Sequence, residues 1–375
     1  MIIPSEETST VETRHWQANL VKIYDFLFIT EPVWVLITVS FVYISIIYNW
    51  APAIPWLCIA LSFSPFVLRV IRHGRPSRLT PFDIPIAILL GAIIVGMVVS
   101  DHFSTSLGAF QTFLGVTAFY YSVTNYSKLL WLVKIGLLLT VVGAIISLAF
   151  VVKWSSEDIT IPHGLGIVLA IFAAIALGIT VFNKKTIHRV AGGVFGLMSL
   201  VVVIFFAHDA FYRLFTLTTI EKRLQLWLDV IKPIEGSSLW TGLGLGGWPL
   251  TDTATHGHVH NAYLELYINM GIFGLLALIC FLAVGAKLTA DILYSPRNSI
   301  YYGFGAGVIL ASLAVLAVSF VESAAIGYGT PHEASYHYIF SPIPFILAGA
   351  LVVARQLLRE GSITGNTEST EVSYK

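Results

Sequence analysis

Charge is what this sequence has least of. Only 11% of its 375 residues are Asp, Glu, Lys or Arg, against roughly 25% in an ordinary soluble domain. The two signs balance at 21 each. With no net charge, the chain lacks the electrostatic footprint of a nucleic-acid partner, and none is expected. Cysteine is nearly missing as well. Cys58 and Cys280 both lie in apolar runs, with no CxxC or CxxH spacing, so they read as buried free thiols rather than as a disulfide or a metal site. The first 30 residues lack an apolar core followed by a small-residue cleavage site. They carry Glu6, Glu7, Glu12, Arg14, Lys22 and Asp25 instead, and no removable signal peptide is expected. There is no HExxH and no cofactor motif that survives scrutiny, so neither metal nor cofactor is expected.

What the chain has in quantity is apolar length. Hydrophobic residues make up 56%, and the mean hydropathy is +0.81. The apolar runs are about 17–25 residues long, which suits helices crossing a bilayer rather than barrel strands, whose residues would alternate. The expected fold is therefore all-α, a polytopic membrane protein of about ten transmembrane helices with the lipid bilayer as its first partner. The runs predict helices near residues 33–49, 54–71, 83–100, 107–123, 129–152, 164–182, 190–207, 262–286, 300–321 and 339–356.

The Lys/Arg distribution predicts an orientation. With the N-terminus inside, the inner segments hold Arg14, Lys22, Arg69, Arg72, Arg75, Arg78, Lys128, Lys184, Lys185, Arg189, Lys287, Arg297, Arg355, Arg359 and Lys375, 15 of the 21 cations. Lys134 falls within a helix near its inner end. The outer segments hold five: Lys153, Arg213, Lys222, Arg223 and Lys232. This divides the chain into a cytoplasmic segment 1–32, seven helices over 33–207 and a periplasmic loop 208–259. Three helices follow over 260–357, with an outer loop at 322–338, and then a Ser/Thr/Glu/Gly-rich tail, 358–375, expected to be disordered. Both termini would be cytoplasmic.

Four of the five outer cations fall in the 208–259 loop. At about 50 residues it is the longest loop, and long ordered loops usually carry function. Within it Ile220, Leu224, Trp227, Leu228 and Ile231 follow helical spacing, predicting a short amphipathic helix over 219–232. Thr218 as N-cap with Glu221 would form a capping box, and Pro233 would stop the helix. Arg223 and Trp227 then share a face. Two readings stand for this pair. One is an interfacial anchor with a snorkelling arginine. The other is a diphosphate clamp, since guanidinium groups fork onto phosphate oxygens and stay charged. Gly242, Gly244 and Gly247 spell GxGxxG, but no strand precedes them and Pro249 follows. They predict a tight turn packing backbone against membrane helices, not a dinucleotide site.

The loop ends in HGHVHN, residues 256–261. His256, His258 and His260 alternate, which in extended chain would put them on one side and allow zinc. Only Asp252 is near as a further ligand, so the preferred reading has no metal. It makes His260 a general base, because imidazole titrates near working pH. The alternative is that His260 only caps the next helix. Asn261, Glu265 and His258 could orient a substrate. Tyr328, His332, Glu333 and His337, in the last outer loop, could complete an acceptor groove. Asp101 and His102 read as solvated loop polars.

Taken together these residues resemble the O-antigen ligase and polymerase superfamily, membrane glycosyltransferases that use an undecaprenyl-diphosphate-linked glycan. The ligase pattern H-[NSQ]-x9-G-x-x-[GTY] is met by His260, Asn261, Gly271 and Gly274, and R-x3-L by Arg213 and Leu217. The run of Arg, Trp, Pro, glycine turn and His-Asn is met by Arg223, Trp227, Pro233, residues 242–246 and His260-Asn261. The motif-bearing part covers about residues 210–275. The resemblance implies a periplasm-facing site in the inner membrane and metal-independent, inverting glycosyl transfer. Arg213, Arg223 and Lys222 would bind the donor diphosphate, and His260 would act on the acceptor hydroxyl. The acceptor would be lipid A-core in a ligase or another glycan repeat in a polymerase. Polymerase is the nearest alternative, followed by a protein O-oligosaccharyltransferase and a transporter of lipid-linked glycans.

Overall fold

In the computed structural model the described residues are 6–101, 103–126, 163–182, 190, 193, 217–232, 234–236, 238–246, 259, 261–296, 300–319, 327–332 and 335–371. The chain is overwhelmingly helical. The described helices are α1 (Glu6–Ile47), α2 (Ala53–His73), α3 (Asp83–Val99), α4 (Phe103–Asn125), α5 (His163–Phe182), α6 (Leu217–Ile231), α7 (Ser238–Thr241), α8 (Ala262–Leu293), α9 (Ile300–Val318) and α10 (Ile343–Glu371). Between α9 and α10 lies an antiparallel hairpin, β1 (Gly327–His332) and β2 (Ser335–Phe340). Among the described residues three stretches are long and apolar enough to cross a bilayer: Phe26–Ile47, Ala53–His73 and Ala262–Leu293. Asp83–Val99 and Tyr301–Ala317 are shorter apolar helices. The chain is thus a helical membrane protein.

Several boundaries depart from the sequence expectation. The polar segment 1–32 is not separate from the first apolar run, because α1 is continuous from Glu6. At the other end, α10 continues to Glu371, through most of the tail expected to be disordered. In both cases a helix already held by packed turns extends by one hydrogen bond per residue, without a new nucleation step. Leu351, Leu357 and Leu358 supply that anchor in α10. The outer loop expected at 322–338 holds most of the hairpin, which runs on to Phe340 and pairs Tyr328 with Ile339 and Thr330 with His337. The fold is therefore not purely α, and the last helix begins at Ile343 rather than near 339. The expected helix at 129–152, and nearly all of the one at 190–207, lie outside the described residues.

Packing follows side-chain size. α5 and α9 lie against each other through glycine: a Cβ at Gly178 would sit 2.4 Å from the Gly303 carbonyl oxygen and from the Gly307 nitrogen. Gly303 and Gly307 are four apart, so they share one face and let the backbones approach as small-xxx-small pairs do in membranes. The main core joins α3, α4, α8, α9 and α10 through residues such as Ile93, Phe113, Tyr120, Leu288 and Phe345. α1 and α2 are pinned by a buried ion pair, in which Arg69 donates to Glu31, with exposures of 5% and 2%. An unpaired charge at such a position would be costly, and the pair answers that cost.

Candidate functional site

The region of interest is built where the chain comes back from α6 to the head of α8. Helix α6 starts at Leu217, two residues earlier than the capping box predicts, so Thr218 lies within the first turn instead of at the cap. It is amphipathic in an unexpected sense. Leu226 and Val230 are buried with Ile234, Val259 and Ile268, and Trp227 packs beside them. Leu224, Leu228 and Ile231 of the expected apolar stripe are 50%, 59% and 44% exposed. The helix therefore has two apolar faces, one seated on the protein and one outward.

Trp227 links α6 to Val259. Its indole Nε1–H donates to the Val259 carbonyl at 2.9 Å. Val259 is fully buried and immediately precedes His260. Arg223 sits one turn before Trp227 on the same helix face, partly exposed, while Lys222 is exposed. Lys232 is committed elsewhere, to Asp229 at 2.7 Å. Hydrogen bonds from Lys232 and then from Gln225 hold the Asp229 carboxyl below the usual carboxylate range.

Asn261 starts α8. Its backbone is extended, and its side-chain oxygen accepts from the amides of Tyr263 and Leu264, each at 3.0 Å. The helix cap is therefore Asn261, by the standard route of satisfying free N-terminal amides. The Ala262 amide, a further early donor, bonds to the Ser319 carbonyl at 2.9 Å and ties the head of α8 to the end of α9. Glu265, 3% exposed, follows in the first turn, where the helix dipole favours a carboxylate.

The glycine segment packs as the sequence predicts. Gly242, Gly244 and Gly246 have φ of 71°, 86° and 71°. The turn docks on a break in α8 at Gly271, where φ is 58° and ψ is −149°. That conformation belongs essentially to glycine. The break leaves the Ile268 carbonyl to accept from the Leu243 amide at 2.7 Å. The Gly246 amide donates to Asn269 Oδ1 at 2.6 Å, and Asn269 Nδ2 donates to the Glu265 carbonyl at 2.7 Å. From the other side Ser106 Oγ donates to the Leu245 carbonyl at 3.0 Å. Gly271, met in the sequence as one letter of a pattern, is thus the seat of the loop, and Gly274 packs closely on the Leu266 turn.

The structure therefore brings α6, Val259, the α8 head and the glycine turn together. His260, His258, His256 and Arg213 lie outside the described residues, as do Glu333, His102 and Gly247. His332 and His337 fall on opposite strands of the hairpin, at register positions opposite Ser335 and Thr330. Among the described residues no three His, Cys, Asp or Glu gather as a metal-ligand set. Sequence reading missed Asn269, 2% exposed in an apolar helix. Its spacing of four from Glu265 would have placed both on one face. No family model matches this chain, and no curated protein does.

Proposed function

We propose that the chain is a membrane glycosyltransferase of the O-antigen ligase type, moving a glycan from undecaprenyl diphosphate to an acceptor hydroxyl at the outer face of the inner membrane. The observation that carries the reading is the Trp227–Val259 hydrogen bond. It holds the helix bearing Lys222 and Arg223 on Val259, the residue next in sequence to His260-Asn261, which supports reading the two cations and the histidine together. The ten-helix topology, read from the apolar runs, and the cytoplasmic termini, read from the cation distribution, belong to the same proposal.

In this reading Arg213, Arg223 and Lys222 hold the diphosphate oxygens, where guanidinium forks are suited to the charge of a leaving diphosphate. His260 takes the proton from the acceptor hydroxyl as its oxygen bonds to the anomeric carbon. The bond from that carbon to the diphosphate oxygen breaks, and the electron pair leaves with undecaprenyl diphosphate. The sugar carbon inverts, and no metal takes part. Glu265 and Asn269 keep the head of α8 in place; His258 and His332 stand on the acceptor side. Lipid A-core is the acceptor favoured by the complete His-Asn-x9-Gly pattern.

The test is transfer from purified lipid-linked glycan to lipid A-core. His260→Ala is expected to lower turnover by about 10²–10⁴-fold, the worth of a general base, with protein levels unchanged. Arg213→Ala and Arg223→Ala should weaken donor use. Wild-type turnover in His260→Ala defeats the base assignment. A deletion strain whose core carries a single repeat, instead of naked core beside free lipid-linked polymer, replaces ligase with polymerase.

A further inference from the structure

The turn between α2 and α3 concentrates positive charge. Arg72, Arg75 and Arg78 fall within seven residues, and all three are exposed. Two nearby carboxylates are engaged inside the protein. Glu31 takes Arg69, and Asp83 accepts from the Thr80 and Tyr121 hydroxyls and from the Thr80 amide. The backbone of the turn is tied down at several points. α2 stops at Gly74, whose φ is 69° and whose amide donates to the Val70 carbonyl at 2.9 Å. Arg69 reaches back to the Pro76 carbonyl at 3.5 Å. The Arg78 amide donates to Asn125 Oδ1 at 2.5 Å, fixing the turn on the end of α4. The Arg72 guanidinium stands over the Phe28 ring, 5.4 Å from its centre. Charges carried on a backbone held in this way bind an anion with less ordering cost than charges on a free loop.

Two observations name the partner. The first is depth. α2 has 21 residues, about 31 Å at 1.5 Å per residue, close to the ~30 Å of a bilayer's hydrocarbon layer. Crossing the layer uses up the whole helix, so residues 74–82 fall at the level of the lipid headgroups. The second is apolar exposure. Leu79, next to Arg78, is 94% exposed, and Ile71 and Ile84 on either side of the turn are exposed as well. A leucine so bare gains by entering the acyl layer, and the arginines beside it then lie level with the phosphates. We propose that this turn is a docking site for the headgroup of an anionic phospholipid, with Arg75 and Arg78 on the phosphate, Arg72 beside them and Leu79 in the acyl layer. A zwitterionic lipid is disfavoured, because its ammonium would face the same three cations. The site is independent of the glycosyl-transfer reading and of which leaflet the turn faces.

The test uses delipidated full-length protein in detergent, titrated with dioleoyl phosphatidylglycerol or dioleoyl phosphatidylethanolamine and read by native mass spectrometry. The first phosphatidylglycerol should bind about tenfold or more tighter than phosphatidylethanolamine. The triple variant Arg72→Gln/Arg75→Gln/Arg78→Gln should lose about 100-fold, roughly fivefold per arginine. If the triple variant fails to fold, Arg75→Gln and Arg78→Gln should each lose about fivefold singly. Leu79→Ser should weaken the lipid about tenfold. Lys287→Gln, which removes an exposed cation from α8, should leave the first lipid's affinity unchanged. Equal binding of the two lipids, or wild-type affinity in the arginine variants, overturns the site. An equal loss in Lys287→Gln also overturns it, since general surface charge then explains the binding. Displacement of the lipid by inorganic phosphate at equal concentration, with Leu79→Ser behaving as wild type, makes the turn a site for free phosphate and overturns the lipid.

Discussion

Replacing Gly271 by alanine tests the central packing argument. The native φ of 58° with ψ of −149° lies in a region that residues with a Cβ avoid, at a cost of about 1–3 kcal/mol. The added methyl would also stand 2.4 Å from the Trp240 carbonyl carbon and oxygen and 2.6 Å from the Gly242 nitrogen. These are backbone atoms, so no side-chain rotation relieves the overlap and the glycine turn must lift. Lifting breaks the Leu243–Ile268 and Gly246–Asn269 hydrogen bonds, at about 1 kcal/mol each, and more where a buried group is left unpaired. The total is about 3–6 kcal/mol, a large part of the 5–15 typical of a folded domain. Gly285→Ala is the matched control. Its site is open, and glycine to alanine inside a helix gains about 1 kcal/mol. Thermal unfolding in detergent, followed by tryptophan fluorescence, should separate the two variants in opposite directions, and limited proteolysis should nick Gly271→Ala between residues 238 and 260. If Gly271→Ala melts with wild type and resists protease equally, the docking argument is wrong.

Three further outcomes follow from the same geometry. Asn269→Ala leaves the Gly246 amide buried without its acceptor, which should cost about 1–3 kcal/mol in unfolding experiments; Asn269→Asp, which keeps an acceptor oxygen, should recover part of it. Arg69→Met alone strands Glu31 in the α1–α2 contact and should cost about 3–5 kcal/mol, whereas the double variant Glu31→Gln/Arg69→Met should be closer to wild type, as replacing a whole buried pair often is. Asp229 titrates below its ordinary value because Lys232 and Gln225 bond to its charged form. Its contribution to the end of α6 is therefore present above the ordinary carboxylate range and is lost as pH falls through the lowered value. Amide exchange in α6 should quicken across that acid range in wild type and show no such step in Asp229→Asn.

Much of the helical architecture is legible in the sequence because apolar run length is a local property. Residues 54–71, 83–100 and 164–182 return as α2, α3 and α5 within two residues at either end. The glycine turn is also legible as a place of close backbone packing, since consecutive glycines near a proline have little other use. The hairpin of residues 327–340 was not, because its strands contain Gly, Pro and His and depend on pairing with each other, not on local preference. Nor was the buried face of α6. Its sequence carries two apolar stripes, and only contact with Val259 and Ile268 makes Leu226 and Val230 the inner one.

By itself, the sequence determined that this protein is helical and lives in a membrane, since 56% hydrophobic content with 11% charge leaves no soluble alternative. It also put Asn261, Gly271 and Gly274 on one line. Tertiary structure decided what those letters do. Asn261 caps α8, and Gly271 breaks it so that a turn some thirty residues earlier can seat its backbone there. Such an arrangement rests on two backbones meeting at less than a side chain's distance, which no local preference of either segment can specify.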